Sequence, residues 1–331
     1  MNNLLDPAIL FFAFGVLAGA VRSNLEIPPA ISRFLSLYLL MALGLKGGFA
    51  LAQSGLTGEV AISLACAVLL ALVVPVLGFI VLRRMVGAFD AAAIAATYGS
   101  VSAVTFITAV QYLEGQGLPY GGHMAAAMAL MESPAIIIAM VAVNVLRRRD
   151  AVVSGGGAAV LGGSPNPQLS MGRVLHESFT DGAQMLLLGA MLVGCLSGEA
   201  GKAALQPFSG DLFKGMLAFF LLDMGLLTAR NLGRLRGQAP GLLVYAIVAP
   251  VLQAALALGL AWLVGLSVGN AALLCVLAAS ASYIAVPAVL RHAVPEADAS
   301  LYFGMSLGLT FPFNILLGIP LYVGAARHLL A

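Results

Sequence analysis

The sequence predicts an all-α polytopic membrane protein, and three observations carry that prediction. Of its 331 residues, 61% are hydrophobic and only 9% are charged, which leaves few side chains for a hydrated globular surface. The apolar runs recur at about the 20 residues that one helix needs to cross a bilayer. The alternating ten-residue runs of a membrane β-barrel are not found in the sequence. With Pro, Gly and charge clusters as punctuation, the predicted spans are ten, near 8–21, 28–53, 58–83, 89–112, 121–146, 175–197, 211–230, 240–264, 268–293 and 298–324.

The first apolar run is predicted to be a true span. Asp6 precedes it and Arg22 follows it, whereas a cleaved signal peptide carries its basic residues before the apolar run. We therefore place the N-terminus outside the membrane, and ten spans then place the C-terminus outside as well.

The distribution of Lys and Arg supports this orientation. Cytoplasmic loops of membrane proteins carry an excess of basic residues. Of the 16 basic residues, the predicted outer side holds four, which are Lys46, Lys202, Lys214 and Arg327. The predicted inner side holds the remaining twelve, which are Arg22, Arg33, Arg83, Arg84, Arg147, Arg148, Arg149, Arg173, Arg230, Arg234, Arg236 and Arg291. A missed span in the middle would have moved the later arginines to the wrong side, so the asymmetry also favours ten spans.

The segment 147–174 is predicted to be a cytoplasmic linker between two halves. It is rich in Gly, Ser and Pro, as in "SGGGAAVLGGSPNP", which is typical of a flexible connection. Two interpretations stay open: the segment only joins the halves, or it is a docking or regulatory loop.

The two halves, 1–146 and 175–331, share features in the same order at a shift of roughly 175 to 181 residues. The matching pairs are Asp6 with Asp181, Gly19 with Gly194, Gly44 with Gly225, Pro75 with Pro250, Ser100 with Ser280, Ser102 with Ser282 and Pro134 with Pro312. Each half has five predicted spans, an odd number, so the second half enters the membrane from the opposite side. The sequence therefore predicts a 5+5 inverted repeat, the architecture of many secondary transporters.

Polar residues interrupt the fourth and ninth spans at equivalent positions of the repeat. "GSVSAVT" runs from Gly99 to Thr105, and "SASYIAVP" runs from Ser280 to Pro287. One Ser-x-Ser alone would indicate close helix packing. Two at equivalent positions indicate discontinuous helices that line a cavity, because a broken helix at membrane depth is tolerated only there. Half-helix N-termini and hydroxyl groups suit a small oxyanion, and a co-bound cation would balance its charge because neither stretch contains arginine.

Two acidic residues lie inside apolar runs and are candidates for function or for helix contacts. Glu132 precedes Ser133 and Pro134, and its repeat mate Thr310 precedes Pro312, so we expect both of these spans to be broken beside the site. Intramembrane carboxylates are costly, which makes Glu132 a candidate cation or helix-end ligand, with a structural carboxylate as the alternative. Asp223 has no acidic mate in the first half, and we expect it to make a helix–helix or subunit contact.

Three segments of the chain resemble those of SbtA-type sodium-dependent bicarbonate transporters. These are "YGSVSAVTF", "YLEGQGLPYGGHMAAAMALMESPAIIIA" and "ASASYIAVPAVLRHAVPEAD". The resemblance covers all ten predicted spans, is strongest in the fourth, fifth and ninth, and is weakest in the central segment.

The resemblance implies that the chain forms a homotrimer in the inner membrane and imports bicarbonate together with sodium. It also implies an elevator-like mechanism, in which a core domain moves against a gate domain. The core domain comprises about 58–146 and 240–324, and the gate domain comprises about 8–53 and 175–230.

The resemblance also implies the site residues. The substrate residues are Gly99, Ser100, Ser102, Thr105, Phe106, Ser280, Ser282 and Tyr283. The candidate sodium ligands are Ser102, Ser282, Glu132 and Asn314. Sodium and bicarbonate are then cargo, lipid surrounds the protein, and a trimeric PII-like regulator is a candidate partner on the cytoplasmic face near Arg230 and Arg236. We expect no organic cofactor and no nucleic acid.

Other functions remain as alternatives. A symporter of another small organic or inorganic anion shares all of these features, and a larger bile-acid-like substrate differs only in size. A sodium/proton antiporter would need a carboxylate pair at the crossing, and a receptor or scaffold would need no sodium. An enzyme is disfavoured, because neither the four histidines (His123, His176, His292, His328) nor the three cysteines (Cys66, Cys195, Cys275) have metal-ligand or nucleophile spacing.

Overall fold

The computed structural model describes residues 5–55, 57–153, 182–235 and 237–330, and this part of the chain is helical without strands. Most of the predicted linker 147–174 lies outside the described residues, as do Asp181 and Arg236. The helices are α1 (Pro7–Ala20), α2 (Pro29–Ser54), α3 (Gly58–Leu82), α4 (Ala88–Gly99), α5 (Ala103–Gly115), α6 (Met124–Val153), α7 (Gly182–Gln206), α8 (Phe213–Leu232), α9 (Pro240–Val264), α10 (Val268–Ala279), α11 (Ala285–Ala293), α12 (Ala299–Phe303), α13 (Phe311–Phe313) and α14 (Ile319–Leu330).

Seven helical stretches within the described residues are long and apolar enough to cross a membrane. They are Pro29–Ser54, Gly58–Leu82, Ala88–Gly115, Met124–Arg147, Gly182–Leu232, Pro240–Val264 and Ala299–Leu330. The stretch Gly182–Leu232 has 51 residues, and a helix of that length would measure about 75 Å, more than twice the hydrocarbon core. It is interrupted at Gly198, whose φ is +53°, and by a π-helical turn at Pro207–Asp211. The helices α1 and α10 are apolar but shorter.

One group of helices, α1, α2, α7 and α8, packs through small residues. A side chain at Gly15 of α1 would overlap the Leu222 carbonyl oxygen of α8, and Gly15 lies against Gly225. Between α2 and α7, Gly44 lies against Ala190 and Gly48 against Gly194 in the same way. Such close backbone approach is how membrane helices associate without a hydrophobic driving force between them. The Ser32 hydroxyl of α2 also donates to the buried Asp223 carboxylate of α8, which is the helix–helix contact expected of Asp223.

The remaining helices form a second group in which two helices are broken at the predicted points. α4 ends at Gly99 and α5 begins at Ala103, with Ser100 and Ser102 in extended conformation. α10 ends at Ala279 and α11 begins at Ala285, with Ser280 extended. The prediction of discontinuous helices in the fourth and ninth segments is confirmed. Each break carries two serines, whose side chains hydrogen-bond nearby backbone groups and so favour caps and non-helical conformations.

The expected breaks beside Glu132 and Pro312 are not observed. α6 continues through Pro134, and the stretch Ala299–Leu330 stays helical around Pro312. Proline removes one amide donor from a helix and its ring crowds the preceding turn. In the stretch Ala299–Leu330, the segments Gly304–Thr310 and Asn314–Gly318, on either side of Pro312, are π-helical. Neighbouring helices commonly satisfy the backbone groups that a membrane proline frees, so proline alone does not break such a helix.

Candidate functional site

The two broken helices are joined to each other at their breaks. The backbone N–H of Ser102 donates to Oγ of Ser280 at 2.9 Å, and the N–H of Ser282 donates to the Thr97 carbonyl at 2.8 Å. All four residues are buried. The extended segments between the half-helices therefore satisfy part of each other's backbone and hold the two breaks at a common crossing.

Carbonyl groups at the crossing are satisfied inside the protein. The Thr97 carbonyl of α4 accepts a hydrogen bond from the Ser282 amide. The Ala279 carbonyl at the end of α10 accepts a hydrogen bond from Nδ2 of Asn314 at 2.8 Å. Oδ1 of Asn314 in turn accepts from the Tyr322 hydroxyl at 3.0 Å. Since these carbonyls already have partners, a ligand is more readily recognised at the opposite, amide ends of the half-helices.

The amide ends of α5 and α11 face a cavity of about 220 Å³. From α5 the lining includes Ser102, Ala103 and Val104, and from α11 it includes Ala285. The first amides of a helix lack partners within it and lie at the positive end of its dipole, so two such ends favour an anion. Ser102 caps α5 through its Oγ, which accepts from the Thr105 amide at 3.3 Å and from the Thr105 hydroxyl at 3.0 Å.

A carboxylate from α6 enters the same cavity. Glu132 is the one charged residue among the described lining residues, and Oε2 accepts from Nε2 of Gln184 at 2.8 Å. Gln184 belongs to α7, and its neighbours in the wall include Ser36 of α2. The cavity thus combines two positive helix ends with one negative side chain, and it lies between the two groups of helices.

The sequence-predicted site residues fall into two sets. Ser102, Ser282, Tyr283 and Glu132 line the cavity. The others are buried behind it and support the crossing. These are Gly99, which packs against the Pro75 ring, Ser100, which donates to the Glu132 carbonyl at 3.2 Å, and Thr105, Phe106, Ser280 and Asn314.

Sequence reasoning missed the residues that the other group of helices brings to the cavity. Gln184 and Ser36 are the polar ones. Gln184 stands beside the apolar run "MLLLGAMLVG", and a polar amide at that depth was the signal that would have marked it. The apolar wall at Leu40, Leu187 and Ile136 carried no such signal, because its residues are indistinguishable in sequence from other core positions.

Comparison with known protein families decides the identity. The Na+-dependent bicarbonate transporter superfamily matches residues 7–327, nearly the whole chain. The chain belongs to this family. The earlier resemblance is thereby confirmed, and a comparison with curated proteins gives no match. Membership implies an integral membrane transporter, and not an enzyme, that moves bicarbonate in dependence on sodium as a co-transported ion. In this transporter, the cavity at the crossing brings together two helix N-termini and the Glu132 carboxylate.

Proposed function

We propose that the protein is a secondary active symporter that imports bicarbonate with sodium, and that both ions bind in the cavity at the crossing. The observation that carries this proposal is the charge arrangement. Two helix N-termini and one carboxylate face the same space of about 220 Å³. An anion alone would meet the carboxylate, and a cation alone would meet the helix ends. A pair of opposite ions satisfies both at once.

Bicarbonate would lie at the amide ends of α5 and α11. The lining hydroxyls of Ser102 and Ser282 supply further neutral donors to a small planar anion, whereas the hydroxyl of the lining residue Tyr283 donates to Sδ of Met224 at 3.7 Å. Ser100, Thr105, Phe106, Gly99 and Ser280 then act through the geometry that they hold, because they stand behind the cavity and not in its wall.

Sodium would lie near Glu132, with the hydroxyls of Ser102 and Ser282 as further oxygen ligands. Asn314 stays a candidate through Oδ1, which has a second lone pair beside the one that Tyr322 uses. Sodium neutralises the carboxylate and so removes its repulsion of bicarbonate. Each ion thereby raises the affinity for the other, which is the thermodynamic basis of coupled transport.

A ten-span inverted repeat with both termini outside is part of the proposal, and the helix contacts support it. A shift of 175 residues makes Gly15 of the first half equivalent to Ala190 of the second, and a shift of 181 residues makes Gly44 equivalent to Gly225. If the halves are related by a two-fold axis, a contact of Gly15 with Gly225 requires an equivalent contact of Ala190 with Gly44. Both contacts are present. The same holds for Gly19 with Ala229 and for Gly194 with Gly48. Each contact recurs with its partners exchanged, as a two-fold relation between the halves requires.

We propose that the α1, α2, α7 and α8 group is the gate domain and that the other helices form the core domain, which moves as an elevator. The cavity lies at the boundary of the two groups, a position that lets a sliding core expose it on either side. Its lining residues Ser36 and Val289 lie close in the chain to Arg33 and Arg291. On the predicted orientation the side that carries these arginines is cytoplasmic.

At the opposite side, an ion pair joins the two groups. Nζ of Lys46, on α2, lies 3.1 Å from Oε1 of Glu114, on α5, and the Tyr120 hydroxyl donates to the same oxygen at 2.9 Å. In the proposed cycle, this link between the two groups at the predicted outer side supports an inward-facing state.

The assembly belongs to the proposal as well. Large apolar side chains of the gate group are exposed, among them Phe11, Phe14, Leu192 and Leu196. A homotrimer in the inner membrane would cover such surfaces with lipid and neighbouring protomers. The proposal of a PII-like regulator on the cytoplasmic face rests only on the family resemblance. Arg230, which that proposal places at the contact with the regulator, donates a hydrogen bond to the Leu25 carbonyl at 3.2 Å.

Another small anion remains the alternative cargo. The cavity volume of about 220 Å³ lies below the range of roughly 300–1,000 Å³ of pockets for drug-sized ligands, which argues against a bile-acid-like substrate. The cavity volume does not distinguish bicarbonate from other anions of the same size.

The test is uptake of radiolabelled bicarbonate into strongly buffered proteoliposomes, with an inward sodium gradient compared with an equal potassium gradient. Uptake should require sodium and should fall to the background of empty vesicles in Ser282→Val. The matched control is Ser306→Ala, because Ser306 is equally buried but bonds only within its own helical stretch. Uptake that is equal in sodium and potassium would overturn the proposal.

A further inference from the structure

A second groove lies between α3 and α9 and shares no lining residue with the transport cavity. Its volume is about 580 Å³, and its walls run along α3 from Val74 to Val81, with Met85 just beyond that helix, and along α9 from Gly241 to Leu256. The lining is apolar apart from Tyr245 and Gln253. The rims face outward, since Leu77 is 50% exposed and Val244 59% exposed. In an integral membrane protein this surface meets the bilayer.

The groove is long enough for one extended acyl chain. Its α9 wall runs from Gly241 to Leu256, 15 residues apart, which corresponds to about 22 Å along a helix. Half of a hydrocarbon core of about 30 Å is shorter than that. The groove therefore begins near the Arg83 end and reaches past the middle of α9, and it is placed to take an acyl chain that enters from the leaflet at the Arg83 end.

A polar group near the shallow end has no partner. The Tyr245 hydroxyl is buried without a hydrogen bond, and Gly78 faces it so closely that a Cβ there would lie 3.0 Å from the oxygen. Tyr245 is five residues from the start of α9, and Gly78 is four residues from the end of α3. This is about 6–8 Å inside the helix ends, near the depth at which lipid ester groups meet hydrocarbon. The hydroxyl oxygen has almost no accessible surface, so a lipid in the groove would contact other atoms of Tyr245 and not this oxygen.

Two arginines stand at the mouth of the groove. Arg83 and Arg84 directly precede the lining residue Met85, and both are exposed. Among the described residues, neither has an acidic side chain within ion-pair distance. The Arg83 guanidinium lies over the Phe79 ring, 5.9 Å from its centroid, which leaves its charge in place. The two arginines therefore present two positive charges at the surface level where a phosphate group would lie.

We propose that this groove is a binding site for an anionic phospholipid. One acyl chain fills the groove, and the phosphate lies against Arg83 and Arg84. Gln253 has no role in this arrangement. Its buried Oε1 is a hydrogen-bond acceptor, and the hydrocarbon chain of a lipid has no donor to offer it. The site belongs to the leaflet at the Arg83 end and does not depend on which ions the protein transports.

The experiment is native mass spectrometry of the purified protein, titrated with phosphatidylglycerol or with phosphatidylcholine of the same chains. Wild-type protein should retain phosphatidylglycerol in preference to phosphatidylcholine. The variant Arg83→Gln/Arg84→Gln should reduce that preference by about five-fold for each arginine. Val244→Trp, which fills the groove from its exposed rim, should reduce retention of both lipids. The matched controls are Lys202→Gln for the charge and Leu192→Trp for the exposed apolar position, and neither should change retention.

Three results would overturn the proposal. The first is equal retention of the two lipids by the wild type. The second is unchanged retention in both groove variants. The third is efficient disulfide crosslinking between protomers carrying Val244→Cys, because a second copy of the chain would then occupy the groove. Thermal unfolding of each variant checks that it is folded, and if Val244→Trp is not, the arginine variant alone decides.

Discussion

The Ser102 amide and the Ser280 hydroxyl are joined by a hydrogen bond of 2.9 Å, so the break in one half of the chain is fixed by a side chain from the other half. Ser280 Oγ also donates to the Leu277 carbonyl at 2.9 Å, and the residue is fully buried. This hydroxyl has one proton and gives it to Leu277, so it can only accept from Ser102. The geometry of the proposed anion site thus depends on a residue that does not line the cavity.

Ser280→Ala should therefore lower both stability and transport. The change leaves the Ser102 amide buried without a partner, at a cost of about 1–3 kcal/mol in unfolding free energy. Thermal unfolding in detergent and sodium-driven bicarbonate uptake measure the two effects. Ser306→Ala is the control and should have the smaller effect on both. Unchanged uptake in Ser280→Ala would show that the tie to Ser102 is not needed.

A substitution at Asn314 can distinguish a structural role of this side chain from a role in sodium binding. Asn314→Leu removes the donor to Ala279 and the acceptor for Tyr322, so unfolding should become easier by about 2 kcal/mol or more at any sodium concentration. If its role is support alone, sodium should raise the Tm of the variant as much as it raises that of the wild type. A lost sodium response in Asn314→Leu, with the response kept in Tyr322→Phe, would instead make Asn314 a ligand.

The close contact of α2 with α7 predicts a strong difference between two glycines. A Cβ at Gly48 would overlap the Met191 carbonyl oxygen and lie 2.8 Å from the Cys195 amide, whereas a Cβ at Gly189 meets nothing within 4 Å. Gly48→Ala should destabilise the protein by about 1–3 kcal/mol. Gly189→Ala should stabilise it slightly through helix propensity. Equal melting temperatures of the two variants would contradict the packing described for this group.

The ion pair between Arg147 and Glu296 predicts a small pH effect. Its atoms are 2.8 Å apart, and hydrogen bonding from Arg147 lowers the pKa of Glu296 below its ordinary value. A carboxylate with a lowered pKa contributes stability above its unfolded pKa, and that contribution is lost as the pH falls through the lowered pKa. Both side chains are 37% exposed, so the contribution is about 0.5 kcal/mol. Melting of Glu296→Gln should differ from that of wild type at neutral pH and converge with it in acid. A difference that grows in acid would be contrary to this assignment.

The positions of the two breaks were predictable, because "GSVSAVT" and "SASYIAVP" place a Ser-x-Ser at equivalent positions of the two halves, whereas one alone would have indicated helix packing. The continuity of α6 through Pro134 was not. Whether proline breaks a membrane helix depends on which neighbours satisfy the freed backbone, and this is set by tertiary contacts. Gln184 was missed for a similar reason. Its partner Glu132 is 52 residues away, and a pairing between two helix groups leaves no trace in the local pattern.

The central claim is that bicarbonate and sodium move together through one site, and the most direct test drives one ion with the other. Proteoliposomes with equal sodium on both sides and an inward bicarbonate gradient, at fixed pH and clamped membrane potential, should accumulate radiolabelled sodium. A chloride gradient of the same size should not produce this accumulation, and neither should Ser102→Leu under the bicarbonate gradient. Sodium movement that ignores the bicarbonate gradient, in protein shown to be folded and inserted, would contradict coupled transport at the crossing.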